Sequence, residues 1–161
     1  MISKGKTVRQ LTDADLGYLA GIIDGEGHIG LVRRKRSWKR SPDRTHYLRP
    51  VVQIGQAKRE LLDHIARVVG EGSVAVHGQR GFYNLRFYPG TMRWLLPQLL
   101  PHLVLKGRQA EIVLEFMTGP AWNGRELTEG EHSRRDTLAA EIRALNVKPA
   151  VARRLQLVKV A

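Results

Sequence analysis

Gly17, Gly21 and Gly25 stand four residues apart in a stretch that otherwise reads as a helix. Thr12-Asp13-Ala14-Asp15 is a capping pattern: the Thr12 side chain can accept the amide three residues on, and Asp15 can reach back. Behind it Leu16, Leu19 and Ile23 recur on one helical face. The glycines line a different face. An interior glycine costs about 1 kcal/mol relative to alanine, so three in one helix need a reason. A stripe of small residues at i, i+4 and i+8 lets a second backbone approach closely. The helix is therefore expected to seat one face on its own core and the other against a second helix at near-contact distance.

The rest of the chain alternates between the two periodicities. His28 to Arg36 reads as a strand that turns basic at its far end, and residues 37–45, with Pro42 and Asp43, as a loop or hairpin tip. His46 to Gln56 is a second strand, with Leu48, Val52 and Ile54 on a core face and Tyr47, Arg49, Val51 and Gln53 on the other. Arg59 to Val69 is a helix stopped by Gly70. Residues 73–77 and 82–88 form a hairpin around Gly78-Gln79-Arg80-Gly81. Thr91 reads as the cap of a helix reaching Leu96, with Pro97 and Pro101 as breakers beyond it. Gln109 to Met117 is a further helix, a polar loop runs to about residue 131, and Ser133 to Leu145 is a last amphipathic helix. Residues 12–146 make a single domain on this reading, flanked by an N-terminal segment, 1–11, and a tail, 147–161, without a clear pattern.

Two hairpins, each followed by helices, imply an α+β domain with one antiparallel sheet and helices on one face. The opposite face must be wet or bound. Arg33, Lys35, Arg49, Gln53, Arg80 and Arg86 are the candidates for it. A ribbon carrying arginine and glutamine fits the DNA major groove, where arginine suits guanine and glutamine suits adenine. The charge agrees: 27 Lys+Arg against 15 Asp+Glu leave a formal +12 on 161 residues, the balance of a domain that meets a polyanion. The absence of cysteine excludes disulfide scaffolds, thiol nucleophiles and zinc modules with Cys ligands. The six histidines show no ligand spacing. No apolar run approaches the ~18–20 residues that span a bilayer, and no signal-peptide pattern opens the chain. An intracellular protein is expected, cytoplasmic in a prokaryote and otherwise organellar, with neither a membrane nor a small-molecule cofactor as partner.

Leu19-Ala20-Gly21-Ile22-Ile23-Asp24-Gly25-Glu26-Gly27 closely resembles the motif of the LAGLIDADG homing endonucleases, with Ile22 for Leu, Gly25 for Ala and Glu26 for Asp. Further segments are similar to that family: Pro50 to Gln56 to its second strand, Leu61-Leu62-Asp63 and Gly70 to Val74 to its next helix and turn, Leu100 to Ala110 to the stretch with its active-site lysine, and Ala140 to Asn146 to its closing helix. The resemblance covers most of residues 12–146. It implies an α-β-β-α-β-β-α fold with a saddle-shaped antiparallel sheet. It also implies a homodimer, since one copy of the motif is present, and hence a pseudo-palindromic double-stranded DNA target. Gly17, Ala20, Gly21, Asp24 and Gly25 would form the dimer interface.

The resemblance gives Glu26 the place of the metal-binding acid, with Gly25 beside it, and makes Gln56 and Lys106 the other catalytic residues. Gln56 would orient the water pocket; Lys106 would help activate water or stabilise charge on the phosphate. The electrostatics agree. A carboxylate at a helix C-terminus opposes the dipole by roughly 0.3–1 kcal/mol, and two such groups meeting at a dimer axis recruit a cation. Mg²⁺, or Mn²⁺, suits few carboxylates completed by phosphate and water. Asp24 reads as structural, bonding backbone at the helix end. Lys58 and Arg59 lie near a further basic position of the family.

The reaction implied is metal-assisted phosphodiester hydrolysis at a long target, about 18–20 base pairs if each sheet spans roughly 30 Å. Rival readings are an intron maturase, an inactive DNA-binding regulator on the same scaffold, and a basic ribosomal or repressor protein. A solvated turn acid at position 26, a surface lysine at 106 and a basic strand edge that blocks aggregation are the structural alternatives for individual residues.

Overall fold

The computed structural model describes residues 10–35, 46–78, 81–119 and 127–147. The elements are α1 (Asp13–Glu26), β1 (Gly27–Lys35), β2 (His46–Gln56), α2 (Arg59–Val69), β3 (Ser73–Val76), β4 (Tyr83–Phe87), α3 (Pro89–Leu99), α4 (Gly107–Thr118) and α5 (Glu129–Leu145). The four strands make one antiparallel sheet in the order β1-β2-β4-β3. This is the α+β architecture expected from the alternating hairpins and helices. Residues 37–45, Arg80 and the tail from 148 onward lie outside the described residues. No helix among the described residues is long and apolar enough to cross a membrane.

One core joins the helices to a single face of the sheet. Leu16, Leu19, Ala20 and Ile23 of α1 meet Ile29, Val52, Ile54, Leu85 and Phe87 from the strands, and Leu11 and α2 through α5 contribute the rest. Each fully buried aliphatic side chain is worth about 1.5–3 kcal/mol. Pro50 is tolerated in a central strand because β4 pairs with β2 only from Val52 onward, so its missing donor faces no strand.

Capping chemistry sets the helix starts. Thr12 accepts from Asp15 N at 3.1 Å, and its hydroxyl donates to the Asp15 carboxylate at 2.7 Å, so Asp15 meets the hydroxyl, not the backbone, of residue 12. At α5 the full capping box is present: Thr128 accepts from Glu131 N and the Glu131 carboxylate accepts from Thr128 N. That box starts α5 at Glu129, four residues before the start expected from hydrophobic spacing. α4 likewise begins at Gly107, two residues early.

α3 corrects a second expectation. Thr91 is not its cap: Tyr88 is, and Pro89 occupies the first turn. Thr91 is wholly buried and donates to Glu71 at 2.6 Å, pinning the α2–β3 turn to the helix. Pro97 does not break the helix. The buried series Met92, Leu95, Leu96 and Leu99 continues across it, so packing outweighs the lost backbone bond.

Two candidate placements are also overturned. Ala20 is fully buried in the chain's own core, facing inward with Leu19 and Ile23, so its side chain is not part of an exposed helix seam. Arg33 and Lys35 fall on the helix side of the sheet. Arg33 is opposite Leu48 and Lys35 opposite His46, in phase with the inward pairs Ile29–Val52 and Leu31–Pro50. Arg33 reaches Asp136 of α5 at 3.5 Å. Strand alternation, counted from Ile29, sends Arg34 to the open face instead.

α1 passes into β1 with no intervening loop. Gly27, the first strand residue, caps the helix by donating to Ile23 O, and a Cβ there would lie 2.6 Å from that oxygen. Only glycine fits so close a helix-to-strand join. Gly27→Ala is expected to lower stability by about 1–3 kcal/mol, the cost of forced backbone shifts. Urea denaturation checks this; an unchanged midpoint contradicts it.

Candidate active site and nucleic-acid interface

The end of α1 gathers the charged groups. α1 has no basic residue in its last turn, and its terminal carbonyls take a cation from elsewhere in the chain. Lys106 Nζ donates to Ile23 O at 2.8 Å and also to Asp24 O. The Asp24 carboxylate returns the contact, accepting from Val104 N at 2.7 Å and from Lys106 N at 3.0 Å. Asp24 and Lys106 thus clamp the segment before α4 onto the end of α1. Asp24 serves as a backbone acceptor, though for this segment and not for its own helix. Burial pushes the Lys106 ammonium below its ordinary value, while Asp24 and then Glu26 pull it back up. Glu26 is therefore within electrostatic reach of Lys106.

Glu26 is exposed, and its carboxylate accepts no hydrogen bond among the described residues. The register Gly27–Ile54 carries Gln56 two residues past that pair, to the same end of the sheet. Its amide oxygen accepts from Ala57 N at 2.8 Å, and it bonds neither Glu26 nor Lys106. The structure thus brings Glu26 and Lys106 together and leaves Gln56 alongside. Arg59 is occupied with Asp63 at 3.2 Å and lies over the Tyr83 ring, and Lys58 is the cap of α2.

Among the described residues no group of three or more His, Asp or Glu could hold a metal ion. One chain offers one exposed carboxylate beside Gly25. That donor set fits Mg²⁺ where phosphate oxygens and water, with or without a second carboxylate, complete the shell. Gly17, Gly21 and Gly25 are exposed, and a Cβ at any of them meets nothing within 4 Å. Packing among the described residues does not require their lack of side chains.

The open face of the sheet holds a groove of about 380 Å³ lined by His28, Arg34, Arg49, Gln53, Arg86 and Tyr88 among others. No acidic residue lines it among those described. Arg49, Gln53 and Arg86 stand together there, with Gln53 directly opposite Arg86 on β4 and opposite His28 on β1. Arg34 and His28 are additions that strand alternation from Ile29 would have found. Burial, and then Lys106, push His28 below its ordinary value, favouring the neutral imidazole.

No family model matches the sequence, and no curated protein matches it significantly. Solved structures do. I-Vdi141I, an archaeal intron-encoded homing endonuclease in complex with DNA, is 26% identical, with a TM-score of 0.72 over 84% of this chain and 86% of that one. The chain has the LAGLIDADG homing endonuclease fold. The homing endonuclease I-CvuI, in complex with the I-CreI target and 2 mM Mg, is similar at 22% identity and a TM-score of 0.71, covering 84% of this chain and 85% of that one. I-SmaMI, a LAGLIDADG homing endonuclease bound to cleaved DNA, matches at 15% identity and 0.68. It covers 88% of this chain but 48% of its own. In the LAGLIDADG fold of this chain, the motif residues Leu19 to Gly27 form the end of α1 and its join to β1.

The clamp predicts its own cost. Asp24→Ala frees two backbone donors and the partner of a charged group, and is expected to destabilise by roughly 1.5–3 kcal/mol, with Asp24→Asn losing less. Calorimetric melting of both variants checks the order; equal, negligible losses contradict it.

Proposed function

We propose that the chain is a site-specific double-strand DNA endonuclease, acting as a homodimer on a long pseudo-palindromic target with Mg²⁺ or Mn²⁺. The observation that carries this reading is one junction. Among the described residues Glu26 has no hydrogen-bonding partner, it ends a helix whose glycine face is bare, and the strand beyond it borders a basic groove without acids. A second copy seated on the glycine face would bring a second Glu26 to the first and set two grooves in line, which suits a two-fold symmetric duplex site. The similar solved proteins are homing endonucleases with DNA, in keeping with this reading.

Glu26, beside Gly25, is the group that would hold the divalent ion. When bound, the ion supplies Lewis-acid stabilisation of charge on the phosphate and lowers the pKa of water. The chain's own residues do the rest. Lys106 keeps a cation beside that carboxylate and draws anionic phosphate towards it. Asp24 fixes the backbone that carries Lys106. Gln56 borders the pocket at the end of β2 as a polar neighbour for water. Arg49, Arg86 and Arg34 hold the duplex on the open face, and Gln53 supplies a donor and an acceptor for base edges.

Glu26→Gln removes the charge and keeps the shape. It is expected to bind the duplex recovered from a randomised library while its cleavage rate falls by roughly 10²–10³-fold or more, the scale of several kcal/mol at the transition state. Gel-shift and single-turnover cleavage assays separate the two. Undiminished cleavage contradicts the assignment, and failure of the natural chain to cut any duplex with Mg²⁺ or Mn²⁺ contradicts the function.

A further inference from the structure

The innermost residue of the open sheet face is a histidine with space cleared for it. His28 lies two residues beyond Glu26, opposite Gln53, and lines the groove. Its imidazole leans along β1 over Gly30: a Cβ placed on Gly30 would come within 2.6 Å of His28 Nε2 and 3.1 Å of Cε1. Gly30 itself is buried in a regular strand, where glycine costs stability, so the missing side chain serves the ring. Beside it the α5 cap residue Asn146 donates to Ile29 O at 2.9 Å, fixing the edge of β1 at this point. The imidazole thus occupies the space that Gly30 leaves free, on a strand edge that Asn146 fixes.

We propose that His28 is a specificity-determining residue that contacts the base pairs nearest the cut. The proposal rests on the endonuclease reading above. His28 is the open-face residue of β1 nearest Glu26 along the strand, whereas Arg34 stands six residues further out. At ~3.3 Å per residue that is about 20 Å, or roughly six base pairs of duplex. The two residues therefore read different parts of a half-site. An imidazole offers one ring nitrogen as donor and the other as acceptor, which matches a base edge in a way a guanidinium cannot.

The test uses the full chain and a duplex library randomised across the target, sequenced after binding and after cleavage. His28→Ala is expected to reduce discrimination roughly tenfold at the base pairs flanking the cut, leaving outer positions unchanged, while Arg34→Ala does the reverse. Gly30→Ala keeps the imidazole but displaces it, and should alter the same inner positions as His28→Ala. In the double variant, Gly30→Ala should add nothing. If His28→Ala does not fold, Gly30→Ala against the natural chain carries the test. Unchanged preference at the inner positions, or an even loss at every position, overturns the proposal while leaving the nuclease reading intact. A natural chain that neither binds nor cuts any duplex overturns both.

Discussion

The exchange between Asp24 and Lys106 organises this molecule. A helix that ends in a carboxylate, with no cation in its own last turn, has an electrostatically poor terminus. Lys106 corrects it from 82 residues away in sequence, donating to the Ile23 and Asp24 carbonyls while the Asp24 carboxylate takes the Val104 and Lys106 amides. Four hydrogen bonds thus tie α1 to the segment leading into α4. The consequence reaches the surface. Glu26, the next acidic residue, is left without a hydrogen-bonding partner among the described residues, within reach of the ammonium that steadies the helix it terminates.

That clamp gives Lys106 a structural duty alongside the catalytic one implied by resemblance. Its ammonium is turned onto backbone carbonyls, and burial holds it below the ordinary lysine range. A lysine in that position keeps positive charge next to the acid without neutralising it by direct contact. The arrangement suits a site that must accept both a divalent ion and a phosphodiester.

The fold was largely legible in the sequence because both periodicities are strong: alternation in His46–Gln56 and the apolar faces of α1 and α2 need little help from context. What misled was local. Pro97 looks like a helix breaker until Leu96 and Leu99 are seen buried on either side of it. Thr128 to Glu131 is as plain a capping box as that at Thr12, but it lies in a glycine-rich polar stretch that reads as loop. At the site, the clustering of Glu26 with Lys106 could not be read from composition or spacing, since the contact joins distant segments and only family resemblance pointed to it. The basic strand β1 shows the opposite failure. Its side-chain phase was available from Ile29, yet choosing arginines by charge alone selected Arg33 and passed over Arg34. Ala20 was chosen by size in the same way, though it belongs to the apolar face of α1.

The proposed chemistry has two copies of α1 meet along the bare glycine face, bringing a second carboxylate to the single one that each chain supplies. The direct measurement is the mass of the protein–duplex complex by analytical ultracentrifugation, on the target recovered from the library. Two chains per duplex, falling to one or none when Gly21→Leu fills the seam, is the predicted result. A single natural chain on a fully cleavable duplex would contradict it.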